Sequence, residues 1–476
     1  MRQSITLLLT ITALLVMNSP TLAGEQEQEE SGQRQDSASS SDLLDEILEH
    51  FQFGSYGRVS AGSNLLGGTG RQVHLVTHPP RLLESSYAEI DFAYEQKLPS
   101  SPATFLTQIT LALGDKMFHF NGDFAADLAI RNLYLEVRDA LLPGLWIWAG
   151  SRMYRGDDIY LLDFWPLEEQ NTVGAGAAYY FGDTNIRFHI GLNRLDDKFM
   201  TQHIVVPGEE FGTRQVLFMD RQRTIFTLHG EHMFSLADEL RLKAIVYAEA
   251  HSLAPGSRRT EDDYEQKLPS DFGWMAGAET SLYGFGESSH LNLFAHYASG
   301  LAAYNELAVP VDFNKDKKTT GATEIQFGLS ANYELHHEVG FLLGAYLRYF
   351  KDADPNVYDR DDLWETSIAF RPSWFVSKNF QLVGEANLQY FRPNGLAPET
   401  GNLEKPLAFE VGLMPTLSVA KGSYSRPQLR LIFAMTFLND SALRTFAPDD
   451  PQREHGLRYY LGISVEWWFH SSRYQE

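Results

Sequence analysis

The sequence predicts an all-β fold, a transmembrane antiparallel β-barrel of about 18 strands with about 16 as the alternative. From about Phe51 to Phe469, segments of alternating apolar and polar residues recur, and such alternation gives a strand one apolar and one polar face. Beyond the N-terminus, no apolar run approaches the ~20 residues that a spanning helix needs. Membrane strands have ~9–11 residues, so this length, with turns and loops, accommodates about 16 to 18 strands.

The first element along the chain is a secretory signal peptide, predicted over residues 1–23. Arg2 is its charged start, Ile5–Met17 is its apolar core, and Thr21 and Ala23 are the small residues of a cleavage site after Ala23. A single membrane anchor is the alternative, but the apolar core is too short to cross a bilayer. We therefore expect an exported protein.

Residues 24–50 are predicted to form a short disordered and helical extension in front of the barrel. Residues 24–41 are polar, acidic and low in complexity, and such a segment cannot bury a core. Ser41 or Asp42 can cap a short amphipathic helix over Asp42–Phe51. A helix of this length is marginal alone, so a frayed tail before the first strand is the alternative.

The barrel itself is predicted over residues 51–476. In Ile186–Asn193, every second residue is apolar, and these residues would share one face of a strand. Soluble β-sandwiches show the same alternation. The last strand, Leu461–Phe469, favours a membrane barrel, because an apolar face that ends in Trp467 and Phe469 is typical of a lipid-facing strand anchored at the interface.

The chain does not end where this last strand ends. A short tail, residues 471–476, follows His470, whereas the terminal residue of an outer-membrane barrel is usually the aromatic. The tail therefore departs from the pattern expected for barrel assembly.

Composition and charge exclude several classes of protein. The formal net charge is −23 at pH 7, and there is no cysteine. A strongly acidic exported chain binds nucleic acid poorly, and the absence of thiols excludes disulfides, thiolate zinc sites and cysteine nucleophiles. A polar, solvated lumen is compatible with both features.

Aromatic and charged residues concentrate where the lumen is expected. Tryptophans and tyrosines are crowded together with arginines and aspartates over residues 143–165, and Tyr56, Arg58, Tyr87 and Glu89 fall on inward faces of the first two strands. A water-facing aromatic ring forfeits burial unless something stacks on it, and charged groups make strong hydrogen bonds. The combination suits a hydroxyl-rich ring such as a sugar, although inward arginines could instead pair with acids to brace the wall.

Motifs in the first half of the chain resemble those of maltoporin-type sugar porins, the carbohydrate porins of bacterial outer membranes. The motifs are Phe53-x-x-Tyr-x-Arg58, Arg81 followed by Tyr87-Ala-Glu89, and Arg131-x-x-Tyr-Leu-Glu136. They are similar to the family's first two strands and to its arginine-led strand. The parity of Arg131 matches that of Leu133, on the outward face, and this suggests a position at a loop edge.

The resemblance extends to the family's constriction loop. Asp163 and Trp165 fall where the family has an aspartate and a tyrosine that narrow the pore. The family's second arginine of this loop would fall on Gly156, and Arg155, one position earlier, is its expected substitute.

The C-terminal strands complete the resemblance. Tyr424-Ser-Arg-Pro-x-Leu-Arg430 is similar to a tryptophan-led family motif, Trp468 matches an aromatic of the last strand, and Phe226 is one candidate for a mid-barrel phenylalanine. The resemblance implies an aromatic slide formed by Tyr56, Tyr87, Tyr424 and Trp468. It also implies a polar track and constriction formed by Arg58, Arg81, Glu89, Arg131, Arg155, Asp163 and Trp165.

The resemblance implies facilitated diffusion of maltose, maltodextrins or related oligosaccharides, which stack on the slide and exchange hydrogen bonds along the track. It implies a homotrimer among the lipids of a Gram-negative outer membrane, without nucleic acid as a partner. No catalytic residue, metal or cofactor is expected. The alternatives are a general or anion-selective diffusion porin on the same scaffold, and an outer-membrane hydrolase or a secreted carbohydrate-binding β-protein.

Overall fold

The structure, a computed structural model, describes residues 50–473 except 115, 116, 119–121, 123–126, 263, 311, 357, 358 and 360. The predicted signal peptide (1–23) and the extension as far as residue 49 lie outside the described residues and stay predictions. The predicted helix Asp42–Phe51 falls largely on the same part of the chain. Its expected end is wrong, because Phe51 begins a strand.

The barrel wall and the loop hairpins are built from strands numbered here in chain order. The described residues contain β1 (Phe51–Ser63), β2 (Tyr87–Lys97), β3 (Thr104–Leu113), β4 (Leu128–Arg138), β5 (Leu145–Arg155), β6 (Glu169–Phe181), β7 (Thr184–Asn193), β8 (Thr201–Pro207), β9 (Thr213–Asp220), β10 (Arg223–Ser235), β11 (Arg241–Leu253), β12 (Gly256–Arg259), β13 (Glu265–Leu268), β14 (Asp271–Tyr283), β15 (Glu287–Gly300), β16 (Thr323–Leu335), β17 (Val339–Lys351), β18 (Leu363–Trp374), β19 (Phe380–Pro393), β20 (Leu407–Ser418), β21 (Gln428–Leu438) and β22 (Leu457–Phe469).

Eighteen of these strands form one closed antiparallel barrel, which confirms the predicted fold class and the higher of the two strand counts. Strands that are neighbours in the chain pair with each other, except that β7 pairs with β10 and β11 pairs with β14. The skipped strands form the hairpins β8–β9 and β12–β13. The pairing of β1 with β22 closes the barrel and sets Tyr56 opposite Trp468.

The helices of the described residues are single turns. They are an α-helix, α1 (Asp440–Leu443), and the 3₁₀ turns Arg81–Leu83, Tyr160–Leu162, Leu301–Ala303 and Pro451–Glu454. None of the helices in the described part of the chain has the length and apolar character needed to cross a membrane.

The two faces of the strands differ as the alternation predicts. On β22, Leu461, Ile463 and Phe469 are 41%, 56% and 42% exposed, whereas Ser464 and Glu466 are buried. The apolar face is therefore the outer face of the barrel, and the polar face lines the lumen.

The lumen is partly filled by two inward segments, 72–86 after β1 and 156–168 after β5. Leu161 and Leu162 pack on Leu342 and Tyr346 of the wall, so the apolar core of the molecule lies inside the barrel. Both segments leave from the end that carries the long loops. In outer-membrane barrels that end is extracellular and the short-turn end, where β1 begins and β22 ends, is periplasmic.

Candidate functional site in the barrel lumen

Tyr56 and Tyr87 form the first aromatic pair of the lumen. Tyr56 lies opposite Glu89 in the β1–β2 ladder, so the two side chains share one face of the sheet, and both are buried there. The two ring centroids are 6.2 Å apart, which is within the range of aromatic contact. Tyr56 is fully buried, so its ring is covered by other side chains in this structure.

The remaining predicted slide residues, Tyr424 and Trp468, meet through a residue that the sequence did not single out. Tyr160, in the segment 156–168, has its ring centroid 5.3 Å from that of Tyr424 and 6.1 Å from that of Trp468. Both contacts are edge-to-face. The structure thus brings the aromatics together as two adjoining groups, one of them completed by Tyr160.

Glu466 is a hub of hydrogen bonds beside these rings. Its carboxylate accepts from Arg81 at 3.1 Å, from Arg426 at 2.9 Å and from Arg430 at 2.6 Å, and from the Tyr160 hydroxyl at 3.0 Å. Its parity on β22 could have placed it inward, but its buried partners come from distant parts of the chain. Three guanidinium groups around one carboxylate hold the aromatic group firmly in place.

Arg58 and Arg81 connect this hub to the constriction. Arg81 donates to the Tyr56 hydroxyl at 2.7 Å and pairs with Glu84 at 2.8 Å. Arg58 pairs with Glu84 at 3.3 Å and with Asp163 at 3.6 Å. Both predicted track arginines therefore reach the lumen, and both also brace it through ion pairs.

Arg131 enters the lumen through a β-bulge. The β3–β4 register passes from Thr110 opposite Asn132 to Leu111 opposite Ile130, which leaves Arg131 without a partner on β3. A bulge residue is re-aimed relative to strict alternation. The expected loop-edge position is therefore wrong, because Arg131 lies within β4.

The re-aimed Arg131 joins the Tyr87 and Glu89 group. Its Nη1 donates to the Tyr87 hydroxyl at 2.5 Å and to Glu89 at 3.3 Å. Glu89 is fully buried, and its Oε2 has no hydrogen-bond partner among the described residues. Glu89 thus keeps one acceptor unused beside two aromatic rings.

Arg155 and Trp165 form a stacked pair in the constriction. The Arg155 guanidinium carbon lies 3.7 Å from the Trp165 ring centroid, and its Nη2 donates to Glu169 at 3.3 Å. Within the described part of the chain, its Nε and Nη1 are buried without a hydrogen-bond partner. Arg155 therefore lies beside Trp165 in the lumen, and its role as a substitute for an arginine at Gly156 stays a prediction.

The segment 156–168 folds into the lumen around a single 3₁₀ turn, Tyr160–Leu162. Asp163 ends the turn with a left-handed backbone, φ 48°, and its carboxylate pairs with Arg473 as well as Arg58. Burial raises the pKa of Asp163, but the guanidinium groups of Arg473 and Arg81 outweigh burial and hold this pKa well below its usual range. The constriction keeps a charged carboxylate.

Asp158 behaves differently in the same segment. Burial, together with the neighbouring Asp163 carboxylate, raises the pKa of Asp158 to about 7. Its Oδ2 is buried and has no hydrogen-bond partner in the residues that the structure describes. The segment therefore combines a permanently charged aspartate with one that titrates near neutral pH.

The inward segment 72–86 narrows the lumen from the other side. The His78 ring stacks on Phe164 with centroids 3.7 Å apart, and its backbone N–H donates to the Tyr346 hydroxyl at 3.2 Å. Burial lowers the pKa of His78 to about 3. No alternation or capping pattern in this segment could have predicted its position.

The C-terminal tail turns back into the lumen. The Ser472 backbone N–H donates to Asp91 Oδ2 at 3.0 Å and its hydroxyl to Asp91 Oδ1 at 2.6 Å. Arg473 pairs with Glu89 at 3.4 Å and also with Asp163. The described part of the tail, residues 471–473, is therefore part of the lumen lining.

Arg473 covers the aromatic faces of the site. Its guanidinium carbon lies 4.9 Å from the Tyr56 ring centroid, 5.4 Å from that of Tyr87 and 5.1 Å from that of Trp165. These distances are typical of cation–π contacts. Only its place in a tail after the last strand marked this arginine in the sequence.

A cavity of about 1140 Å³ lies beside the two inward segments. Arg58, Glu84 and Asp163 line it together with His74 and Tyr460. A volume of this size accommodates more than one ring of a small ligand. Phe226 lies elsewhere: it is 38% exposed on the outward face of β10, so its candidacy for the slide is wrong.

Comparison of the sequence with known proteins identifies one family and several relatives. A family model described as LamB porin matches residues 51–469. Maltoporin of Vibrio cholerae serotype O1, strain El Tor Inaba N16961, is 22% identical over 412 residues, covering 79% of this chain and 85% of the relative. Maltoporin of the strain Classical Ogawa 395 has the same identity over 412 residues, covering 79% and 84%.

Two solved structures are similar to this chain over most of its length. OprD of Pseudomonas aeruginosa has a TM-score of 0.44 at 10% identity, with 88% of this chain and 95% of that chain covered. OccAB1 of Acinetobacter baumannii has a TM-score of 0.44 at 10% identity, with 89% and 97% covered.

Proposed function

The chain belongs to the LamB porin family and is a channel of the bacterial outer membrane, and from this premise we propose that it carries sugars by facilitated diffusion. The substrates we propose are maltose and maltodextrins or related oligosaccharides. A porin family excludes the hydrolase alternative, and a closed transmembrane barrel excludes the secreted β-protein.

One observation carries the sugar proposal: aromatic rings in the lumen lie next to charged groups, and some of those charged groups line a cavity. Tyr424, Tyr160 and Trp468 form a continuous aromatic group, and Arg58 and Asp163 line the cavity. A pyranose ring has apolar C–H faces for stacking and a rim of hydroxyls for hydrogen bonds. Aromatic rings match the C–H faces of the sugar, and charged groups match its hydroxyls.

We propose a division of labour along the path. Sugar rings stack on Tyr87, Tyr56, Trp468 and Tyr424, while their hydroxyls exchange hydrogen bonds with the track. Glu89 Oε2 accepts from a hydroxyl, and Arg155 Nε and Nη1 donate to one, because these buried atoms have no hydrogen-bond partner among the described residues. Each contact is weak enough for release, as conduction requires.

Arg473 gives this path a feature of its own. Its guanidinium occupies the faces of Tyr56 and Tyr87 that a sugar ring would use. Passage of a sugar over these two rings therefore requires the C-terminal tail to give way. We propose that Arg473 lowers sugar affinity at this point of the path and narrows the pore.

The wider setting of the channel is proposed in the same way. Residues 1–23 direct export and are cleaved, and residues 24–50 precede the barrel as an acidic extension. The apolar outer face contacts lipid. A homotrimer is proposed from the family resemblance, and cross-linking of the detergent-solubilised protein tests it.

The experiment is ion conductance of the purified protein in a planar bilayer, titrated with maltose, longer maltodextrins and sucrose. Saturable block that strengthens with chain length supports the sugar path. A matched variant, Trp468→Ala, should weaken that block, whereas Trp467→Ala on the lipid-facing side should not. Conductance indifferent to every sugar would contradict the proposal.

A second candidate, an anion-selective diffusion pore, is favoured by Arg155. Within the described residues, two of its buried N–H-bearing atoms lack hydrogen-bond partners, so it can attract an anion at the narrowest part. Reversal potentials in a salt gradient separate the candidates. Anion preference without sugar block would favour the second.

A further inference from the structure

Two neighbouring loops at the long-loop end bring five aspartates together. One carboxylate oxygen each from Asp352, Asp354 and Asp359 lie within 4.8 Å of one another, and the same holds for Asp312, Asp352 and Asp361. Asp352 is common to both groups. The loop after β17 therefore converges on Asp352, and so does Asp312 from the loop after β15.

Asp352 is the unusual member of this cluster. It is 2% exposed, its Oδ1 accepts from the Asp354 backbone N–H at 2.9 Å, and its Oδ2 is buried without a hydrogen-bond partner among the described residues. A buried carboxylate oxygen without a partner is costly. Asp352 offers a carboxylate oxygen to both groups, so a cation held among them would give this carboxylate the partner it lacks.

Elsewhere in the described chain, aspartates are neutralised by ion pairs with lysine or arginine. The described aspartates of this cluster have no such ion pair. Asp157 pairs with Lys243, Asp163 with Arg58, and Asp220 with Arg194. In the cluster, carboxylates instead face carboxylates, and like charges at such distances repel. A bound cation would remove that repulsion.

The donor set selects the cation. All five side chains offer carboxylate oxygens, and oxygen-only sites suit hard cations. Two oxygens that bind one Ca²⁺ at about 2.3–2.6 Å are at most about 5 Å apart, which agrees with the spacing in each group. Mg²⁺ demands near-ideal octahedral geometry and retains water, so ligands on two irregular loops favour Ca²⁺.

We propose that Asp312, Asp352 and Asp361 form a Ca²⁺ site that ties the loop after β15 to the loop after β17, with Asp354 and Asp359 as a second pair of carboxylates beside Asp352. The proposal does not depend on the proposed sugar transport. Extracellular calcium sites of this type bind with a Kd of about 10⁻⁴–10⁻³ M. The sequence carried no expectation of a metal.

Isothermal titration of the detergent-solubilised full chain with CaCl₂, after dialysis against a chelator, tests the proposal. We expect saturable binding in the submillimolar to millimolar range. Asp352→Asn should weaken it at least tenfold, while the exposed loop variant Asp449→Asn leaves it unchanged. Heat-modifiable migration confirms that each variant folds, and Asp312→Asn replaces Asp352→Asn if the latter does not.

Limited proteolysis provides a second measurement in the same preparation. Cleavage in the loop after β17 should slow about tenfold when free Ca²⁺ is ten times its Kd, because only the Ca²⁺-free loop opens. MgCl₂ at the same concentration should give little protection. Absence of binding up to about 10 mM Ca²⁺, equal binding by wild type and Asp352→Asn, or equal protection by Mg²⁺ would each overturn the proposal.

Discussion

Arg473 and Asp163 form an ion pair that joins the C-terminal tail to the constriction segment. The two residues are 310 positions apart in sequence. Their contact follows from closure of the barrel, because β22 ends beside β1 and the tail turns inward there. This part of the lumen lining is thus assembled from a loop and from the chain end.

Arg473→Ala should widen this region and expose the aromatic faces. We expect higher single-channel conductance and up to about fivefold stronger block by maltotriose, because a competing cation–π contact of about 1 kcal/mol is removed. Both are measured in a planar bilayer. The conductance and sugar block of Arg473→Lys should lie between those of the wild type and Arg473→Ala, since lysine keeps the charge without the planar guanidinium.

Arg241→Ala is the matched control for this prediction. Arg241 is an exposed arginine at the start of β11, at the same end of the barrel. Its removal should alter neither conductance nor block. If Arg473→Ala behaves like Arg241→Ala, the tail does not restrict the path.

Tyr160 should matter through its ring. Tyr160→Ala removes the contact between Tyr424 and Trp468, and we expect about tenfold weaker sugar block if stacking of about 1–1.5 kcal/mol is lost. Tyr160→Phe keeps the ring and loses only the hydroxyl that donates to Glu466, so its block should remain near wild type. Equal losses in both variants would assign the role to the hydroxyl instead.

The strands were predictable because their signal is local. In β22, the alternation that puts Leu461 outside and Ser464 inside is written in consecutive residues, and burial on one face enforces it. The same parity placed Tyr56, Arg58 and Glu89 in the lumen.

The filling of the lumen was not predictable in this way. The inward path of residues 72–86 and the return of Arg473 depend on partners far away in sequence, such as Tyr346 and Asp163. The predicted position of Arg131 was wrong for a different reason. A one-residue bulge in β4 changes the face without any change in composition.

Ion selectivity should change with pH through Asp158. With a pKa of about 7, this carboxyl is neutral below that pH and negative above it. Preference for anions should therefore fall as the pH rises from 5 to 9, measured as the reversal potential in a KCl gradient. His78 contributes no step in this range, because its pKa is about 3.

Two variants separate the contributions to this pH dependence. Asp158→Asn should abolish the step near pH 7. Asp163→Asn should keep a step but move it to lower pH, because the Asp163 carboxylate helps to raise the pKa of Asp158. An unchanged step in Asp158→Asn would assign the titration to another group.

The seam between β1 and β22 should be sensitive to a single methyl group at Gly57. Gly57 lies opposite Trp467, whose indole Nε1 donates to Ser55 at 3.1 Å, and a Cβ at Gly57 would overlap the indole. Gly57→Ala should therefore destabilise the barrel by about 1–3 kcal/mol through overpacking, measured as a lower midpoint of urea unfolding in detergent. Gly384→Ala is the matched control in β19, where the nearest atom, Pro372 Cγ, is at an ordinary 3.5 Å.

The double variant Gly57→Ala/Trp467→Ala distinguishes overlap from a general effect of alanine in a strand. If the indole causes the loss, the second substitution removes the clash, and the two effects are less than additive. Strictly additive effects, or equal midpoints for Gly57→Ala and Gly384→Ala, would mean that β22 can shift its indole without cost. The β1–β22 seam would then tolerate a larger residue at position 57, despite the packing of Trp467 on Gly57.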